Sequence, residues 1–160
     1  MILLIDGRSG SGKTELGRLI GAPLLRMDDL YPGWGGLLEA ADALPRVLRD
    51  RRWQRYDWAT ESLAEWHELG DGDLVVEGCG ALSRASRALA DAAIWVEHPT
   101  ASRRERALAR EPGFAEHWDA WAAQEDAFIA REQPRALADA IVDGADVSAA
   151  AELWRAKLEA

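Results

Sequence analysis

The segment Gly7-Arg8-Ser9-Gly10-Ser11-Gly12-Lys13-Thr14 carries the most specific chemistry in the chain, because it satisfies G-x-x-x-x-G-K-[ST] in full. Its glycines let the backbone curl so that successive N–H groups point at anionic oxygens, and the N-terminus of a following helix adds a favourable dipole. In that arrangement Lys13 reaches the β and γ phosphates of a nucleoside triphosphate, and the Thr14 hydroxyl binds magnesium. A glycine-rich turn that happens to contain Lys-Thr is the plain alternative. The motif requires a strand before it and a helix after it. Ile2 to Asp6 is a short apolar run that reads as a buried parallel strand. Lys13 to Ile20 reads as a helix, with Leu16, Leu19 and Ile20 three and four apart and Gly21 and Pro23 as its stop.

Acidic residues supply the second set of candidates. Asp28 and Asp29 follow a short strand, Pro23 to Met27, and so fall at the carboxyl edge of a sheet, where open α/β sheets bind ligands. A carboxylate there can take the proton from an attacking hydroxyl and orient it toward the γ phosphate; the alternative is that both acids cap the next turn. Glu77 ends the run Leu74 to Val76 and would hold magnesium through water, or serve structure alone. Arg103, Arg106 and Arg110 fall at i, i+3 and i+7, on one helix face. They would clamp a transferring phosphoryl group, or form a solvated face paired with Glu105 and Glu111. His67, His98 and His117 show no metal-ligand spacing with one another or with Cys79.

The elements that must position these residues alternate. Ala93 to Val96 and Ala140 to Val142 repeat the pattern of a short apolar run ending in an acid, giving five strands. Ser83 to Asp91, Thr100 to Arg110, Phe114 to Arg131 and Ser148 to Leu158 read as helices on propensity. This predicts one α/β domain over residues 1–160, with a mainly parallel five-stranded sheet between layers of helices. An insert at about 31–68, without a clear strand and read as helical, is expected to bind the acceptor, and a lid is expected at about 100–113. Trp34, Tyr56 and Trp58 offer flat faces for that acceptor, with Asp29 and Tyr31 as further contacts, and Asp57 and Glu61 offer acceptors for hydroxyl or amino groups, favouring a polar molecule that is neutral or cationic. Arg46, Arg49, Arg51, Arg52 and Arg55 would supply a second phosphate clamp if the acceptor were a nucleotide.

Composition sets outer limits. The net charge of -9 disfavours nucleic acid and anionic membranes as partners, so a phosphate site must be a local positive pocket. A single cysteine, no signal-like N-terminus and no long apolar run lead to the expectation of a cytoplasmic protein, monomeric or homodimeric.

The separated motifs together resemble the uridine kinase and phosphoribulokinase-like branch of the P-loop small-molecule kinases. Asp28-Asp29-Leu30-Tyr31 is similar to the family's Asp-x-Phe-Tyr, Val76-Glu77-Gly78 to its Val-Glu-Gly, and Arg103-x-x-Arg106-x-x-x-Arg110-Glu111 to its lid pattern. Tyr56-Asp57-Trp58 is similar to its Tyr-Asp-Phe, but the family's following His and Arg fall on Glu61 and Leu63. The segment between Tyr31 and Tyr56 is also short for the family's nucleoside-holding hairpin. The resemblance implies the P-loop NTPase fold and phosphoryl transfer from ATP or GTP with Mg2+. It assigns Asp28 as the base, Lys13 and Arg106 as phosphate-handling groups, and Arg103 and Arg110 as lid contacts. A nucleoside is the first acceptor it implies; a nucleotide, a sugar acid or an antibiotic, or an ATPase that phosphorylates nothing, are the alternatives.

Overall fold

The computed structural model describes residues 1–160 throughout. Five short strands form one parallel sheet: β1 (Ile2–Asp6), β2 (Leu24–Arg26), β5 (Leu74–Glu77), β6 (Ala92–Glu97) and β7 (Ala140–Asp143), in the order β2-β5-β1-β6-β7. Burial on both faces explains why their sequences are apolar without alternation. Strand side chains point alternately to the two faces. Leu4, Val76 and Leu25 therefore join one core, whereas Leu3, Ile5 and Val75 join the other.

Helices cover both faces. α1 (Lys13–Ile20) and α7 (Ser148–Glu159) pack against the second core through Leu16, Ile20, Ala151 and Trp154. α2 (Leu37–Asp50) and α5 (Trp118–Glu132) cover the first through Leu37, Leu44, Trp118, Trp121 and Phe128. α3 (Arg84–Arg87) and α6 (Pro134–Leu137) are single turns, and α4 (Thr100–Arg110) lies over the phosphate loop. The helix read over Ser83 to Asp91 is thus limited to one turn, capped by reciprocal Ser83 and Ser86 hydrogen bonds. The one read over Phe114 to Arg131 is a 3-10 turn, Pro112–Glu116, followed by α5.

The insert differs from expectation. After α2 comes an antiparallel hairpin, β3 (Arg52–Asp57) and β4 (Ser62–Glu68), which forms a separate two-stranded sheet. Its strands are held by cross-strand polar and aromatic pairs instead of an apolar face. Trp53 stacks on His67 with centroids 4.6 Å apart, Arg55 pairs with Glu65 at 2.7 Å, and the Arg52 guanidinium lies 4.4 Å from the Trp66 ring centre. Such pairs stabilise a ladder without leaving an apolar run in the sequence. The insert is therefore helix plus hairpin: α2 fills most of the segment between Tyr31 and Tyr56, and the hairpin follows it from Arg52 to Glu68.

Candidate active site

The phosphate loop leaves the end of β1 and enters α1 at Lys13. Its geometry depends on absent side chains: Gly10 has φ +79°, and a Cβ there would lie 2.1 Å from the Arg103 carbonyl oxygen. Only glycine accommodates both the left-handed backbone and that approach. Asp6 anchors the loop's start, its carboxylate accepting the N–H groups of Gly7, Gly80 and Leu82 at 2.6, 3.2 and 2.8 Å. Burial raises the pKa of Asp6 to about 6, an effect only partly offset by those three N–H groups and by Lys13.

A cavity of about 990 Å³ opens at the carboxyl ends of β1, β2 and β5, bounded by the loop, α4, the 3-10 turn Met27–Asp29 and the aromatic residues of the insert and α5. Lys13 is buried on its floor, with Nζ donating to the Arg8 carbonyl at 2.9 Å. Burial opposes its charge, but Glu77, Glu125 and Asp6, with Cys79 at high pH, outweigh that and raise its pKa. The Thr14 hydroxyl donates to Glu77 Oε1 at 3.1 Å, and Arg26 Nε donates to the same oxygen at 3.1 Å. The other end of Arg26 donates to Asp28 at 2.8 Å. An unbroken polar chain, Thr14–Glu77–Arg26–Asp28, thus crosses the cavity floor.

Gly10, Gly12, Ser9, Lys13, Thr14, Glu77, Asp28, Asp29, Trp34, Trp58, Arg106 and Arg110 all line this one space. Asp29 is half-buried and has no hydrogen-bond partner, and desolvation raises its pKa. Trp58 Nε1 donates to the Asp28 carbonyl at 2.8 Å, tying the hairpin's turn to the acidic pair.

Other expected site residues lie differently. Arg103 is 5% exposed and turned behind the loop, donating to the carbonyls of His98 and Ser9 and to the Thr100 hydroxyl. It braces the loop and does not share the cavity with Arg106 and Arg110, because the α4 face it occupies is pressed against the loop. Arg8 points outward to Asp126 at 2.5 Å. Gly7 and Ser11 belong to the loop but do not line the cavity. Tyr31 does border the cavity, but it is 2% exposed and its hydroxyl donates to the Cys79 carbonyl at 2.6 Å, so its polar atom is already used. Tyr56 packs edge-on against Trp58, and Asp57 caps the hairpin turn by accepting the Ala59 N–H at 2.9 Å; neither lines the cavity. Trp34 does line it, but one ring face is covered by His117, 4.1 Å away and nearly parallel. The arginines 46 to 55 are engaged elsewhere: Arg46 with Asp50, Arg51 with the Gly70 carbonyl, Arg52 with Trp66, and Arg55 with Glu65. None of that cluster, Arg49 included, borders the cavity.

Sequence reasoning passed over Arg26, Trp121 and Glu125. Arg26 was signalled by a charge at the end of an apolar strand, and Glu125 by a charge within the apolar spacing Trp118, Trp121, Phe128. The magnesium and triphosphate fit can be judged from the chain itself. A hydroxyl and a carboxylate 3.1 Å apart form an oxygen-only donor set suited to magnesium. Ser11 Oγ is buried without a partner beneath a loop whose backbone curls through Gly10 and Gly12, as an anion cradle does.

No protein-family model matches the chain. No curated protein matches it either. Solved structures do. A possible uridine kinase from Bacillus stearothermophilus is 22% identical, with 89% of this chain and 88% of that one covered at a TM-score of 0.57. A gluconokinase from Sinorhizobium meliloti is 20% identical, with 98% and 91% covered and a TM-score of 0.59. A shikimate kinase from Acinetobacter baumannii is 16% identical, with 99% and 90% covered and a TM-score of 0.54. At these identities the likeness is one of fold, and this chain has the three-layer α/β fold that these structures share, with a five-stranded parallel sheet between helices.

Proposed function

We propose that the protein is a kinase that transfers the γ phosphoryl group of ATP or GTP, with Mg2+, to a hydroxyl of a small metabolite. The observation that carries this reading is the continuity of one cavity from the phosphate loop to the carboxylates Asp28 and Asp29. A nucleotide-binding switch needs the first of these but not the second. Likeness to structures described as uridine, gluconate and shikimate kinases supports a small hydroxylated acceptor without choosing among them.

Thr14 and Glu77 would hold the magnesium ion, which neutralises charge on the triphosphate as transfer proceeds. Lys13, now resting on the Arg8 carbonyl, is poised to donate to phosphate oxygens instead. Asp28 accepts the proton of the acceptor hydroxyl and orients it. Arg106 donates to the Gly144 carbonyl at 3.0 Å, and with Arg110 it shelters the cavity mouth, so water is kept from the phosphoryl group. An unpartnered Asp29 beside Trp58 favours a neutral, hydroxyl-rich or amine-bearing acceptor, for which a nucleoside remains the first candidate. An acceptor bearing its own phosphate is disfavoured, since the arginines that would clamp it lie off the cavity. Dependence on ATP and a reduced, buried Cys79 fit a cytoplasmic enzyme.

Incubating the protein with metabolite pools and γ-18O-labelled ATP, with mass-spectrometric detection, should reveal one labelled phosphorylated product. Lys13→Ala should abolish it and weaken ATP binding far more than adenosine binding. Steady ATP hydrolysis without any labelled acceptor across such pools would replace the kinase reading with an ATPase.

A further inference from the structure

Two neighbouring residues of α5 hold elements on opposite sides of the cavity. The inner stripe of the helix is Trp118, Trp121, Glu125 and Phe128, all buried. Glu125 is its one charged member and is 3% exposed. A carboxylate so placed is costly unless its oxygens are hydrogen-bonded. Glu125 Oε2 accepts the backbone N–H of Ser9 at 2.7 Å and the Cys79 thiol at 3.2 Å, and Arg8 lies 3.8 Å from Oε1. Ser9 belongs to the phosphate loop and lines the cavity; Glu125 does not.

Gln124 does for the acceptor side what Glu125 does for the nucleotide side. Its Oε1 accepts the N–H of Leu37, the first residue of α2 and one of the helix-start donors left without an intrahelical partner. Its Nε2 donates to the Trp34 carbonyl at 2.6 Å. One helix therefore grips the phosphate loop with one side chain and the start of the acceptor insert with the next. In-line transfer tolerates little error in the spacing of its two substrates, and a shared rigid element is the direct way to fix that spacing.

We infer that Gln124 and Glu125 are a positioning pair: they fasten both binding regions to α5, so that ordering the phosphate loop around a nucleotide also orders the first turn of the acceptor insert. The inference rests on the kinase reading above. Restraint of Ser9 restrains Glu125, α5 moves as a unit, and Gln124 passes the restraint to Trp34 and Leu37. The side-chain amide of Gln can replace the Glu125 acceptor oxygen, so Glu125→Gln retains the grip, whereas Glu125→Ala leaves a buried N–H without a partner.

Amide hydrogen exchange of the full chain, with and without AMP-PNP and magnesium, tests this. In the wild type, nucleotide should slow exchange in two places, residues 7–14 and residues 34–38. In Gln124→Ala the first protection should remain and the second should vanish; Gln124 is only half-buried, so the fold tolerates the change. Glu125→Ala should weaken AMP-PNP binding about tenfold, the scale of one hydrogen bond to a charged group, with Glu125→Gln staying within about threefold of wild type. Protection at 34–38 that persists in Gln124→Ala, or that never occurs in the wild type, overturns the coupling. Equal losses in Glu125→Gln and Glu125→Ala overturn the hydrogen-bond role of Glu125. Absence of protection at 7–14 in the wild type would overturn the nucleotide-site reading itself, and the pair's role with it.

Discussion

Asp28 and Asp29 are adjacent in sequence but differ in surroundings, and the difference bears on their roles. Asp28 is exposed and held by Arg26, which also holds Glu77, so its carboxylate is oriented within the polar chain that begins at Thr14. Asp29 is half-buried and unpartnered, with a pKa raised by desolvation. An oriented carboxylate suits proton abstraction from a positioned hydroxyl; an unpartnered one suits recognition. Asp28→Asn should leave ATP affinity near wild type and lower turnover by roughly 100-fold to 10,000-fold, the scale of general acid–base groups. Asp29→Asn should act mainly on the KM of the acceptor. Steady-state kinetics on the acceptor found in the metabolite screen decides between the two, and a larger turnover loss at Asp29 would exchange the roles.

At the scale of the element, α4 does two jobs with residues spaced as i and i+3. Arg103 is buried and spends its guanidinium on two carbonyls and a hydroxyl behind the phosphate loop, whereas Arg106 is exposed at the cavity mouth. Arg103→Ala should lower stability by roughly 2–4 kcal/mol, because hydrogen bonds of a charged donor are lost and buried acceptors are stranded. Arg106→Ala should change stability by less than about 1 kcal/mol, as expected of an exposed arginine, while reducing transfer. Urea unfolding and turnover measured on both variants give opposite orders of damage. Equal destabilisation would mean that Arg106 also braces the structure, through its contacts with the Gly10 carbonyl of the loop and the Gly144 carbonyl after β7.

For the whole molecule, the phosphate loop and the sheet share one anchor, and that anchor titrates. Asp6 is buried at the end of β1, where desolvation raises its pKa from 3.8 to about 6. Between those values the folded chain binds a proton that the unfolded chain has released, so stability from this group is fully present below pH 3.8 and falls as pH rises through about 6. The loss is on the order of 3 kcal/mol, at about 1.4 kcal/mol for each pKa unit. Asp6→Asn does not titrate. Its stability relative to wild type should therefore improve from pH 4 toward pH 7, as read by urea denaturation at intervals of about half a pH unit. A constant difference between the two proteins across that range would show that Asp6 titrates at its ordinary value.

Local rules were enough for the part of the site that is contiguous in the chain. The phosphate loop, α1 and the apolar strands ending in Asp6, Glu77 and Glu97 follow from residue type and spacing, since a loop that cradles phosphate and a strand buried on both faces each demand a particular short sequence. Asp28, Asp29 and Glu77 were readable for the same reason: acids at strand ends fall on one sheet edge. The hairpin was not readable, because its stability comes from pairs such as Trp53 with His67 and Arg55 with Glu65, whose partners are fixed only by register. Helical spacing put Arg103 beside Arg106, but only packing decided that one would lie behind the loop and the other before it. The roles of Arg26, Gln124 and Glu125 likewise depend on contacts across long stretches of chain, as between Glu125 and Ser9. Spacing along a chain determines which residues share an element; which residues share a cavity is decided by how the elements pack.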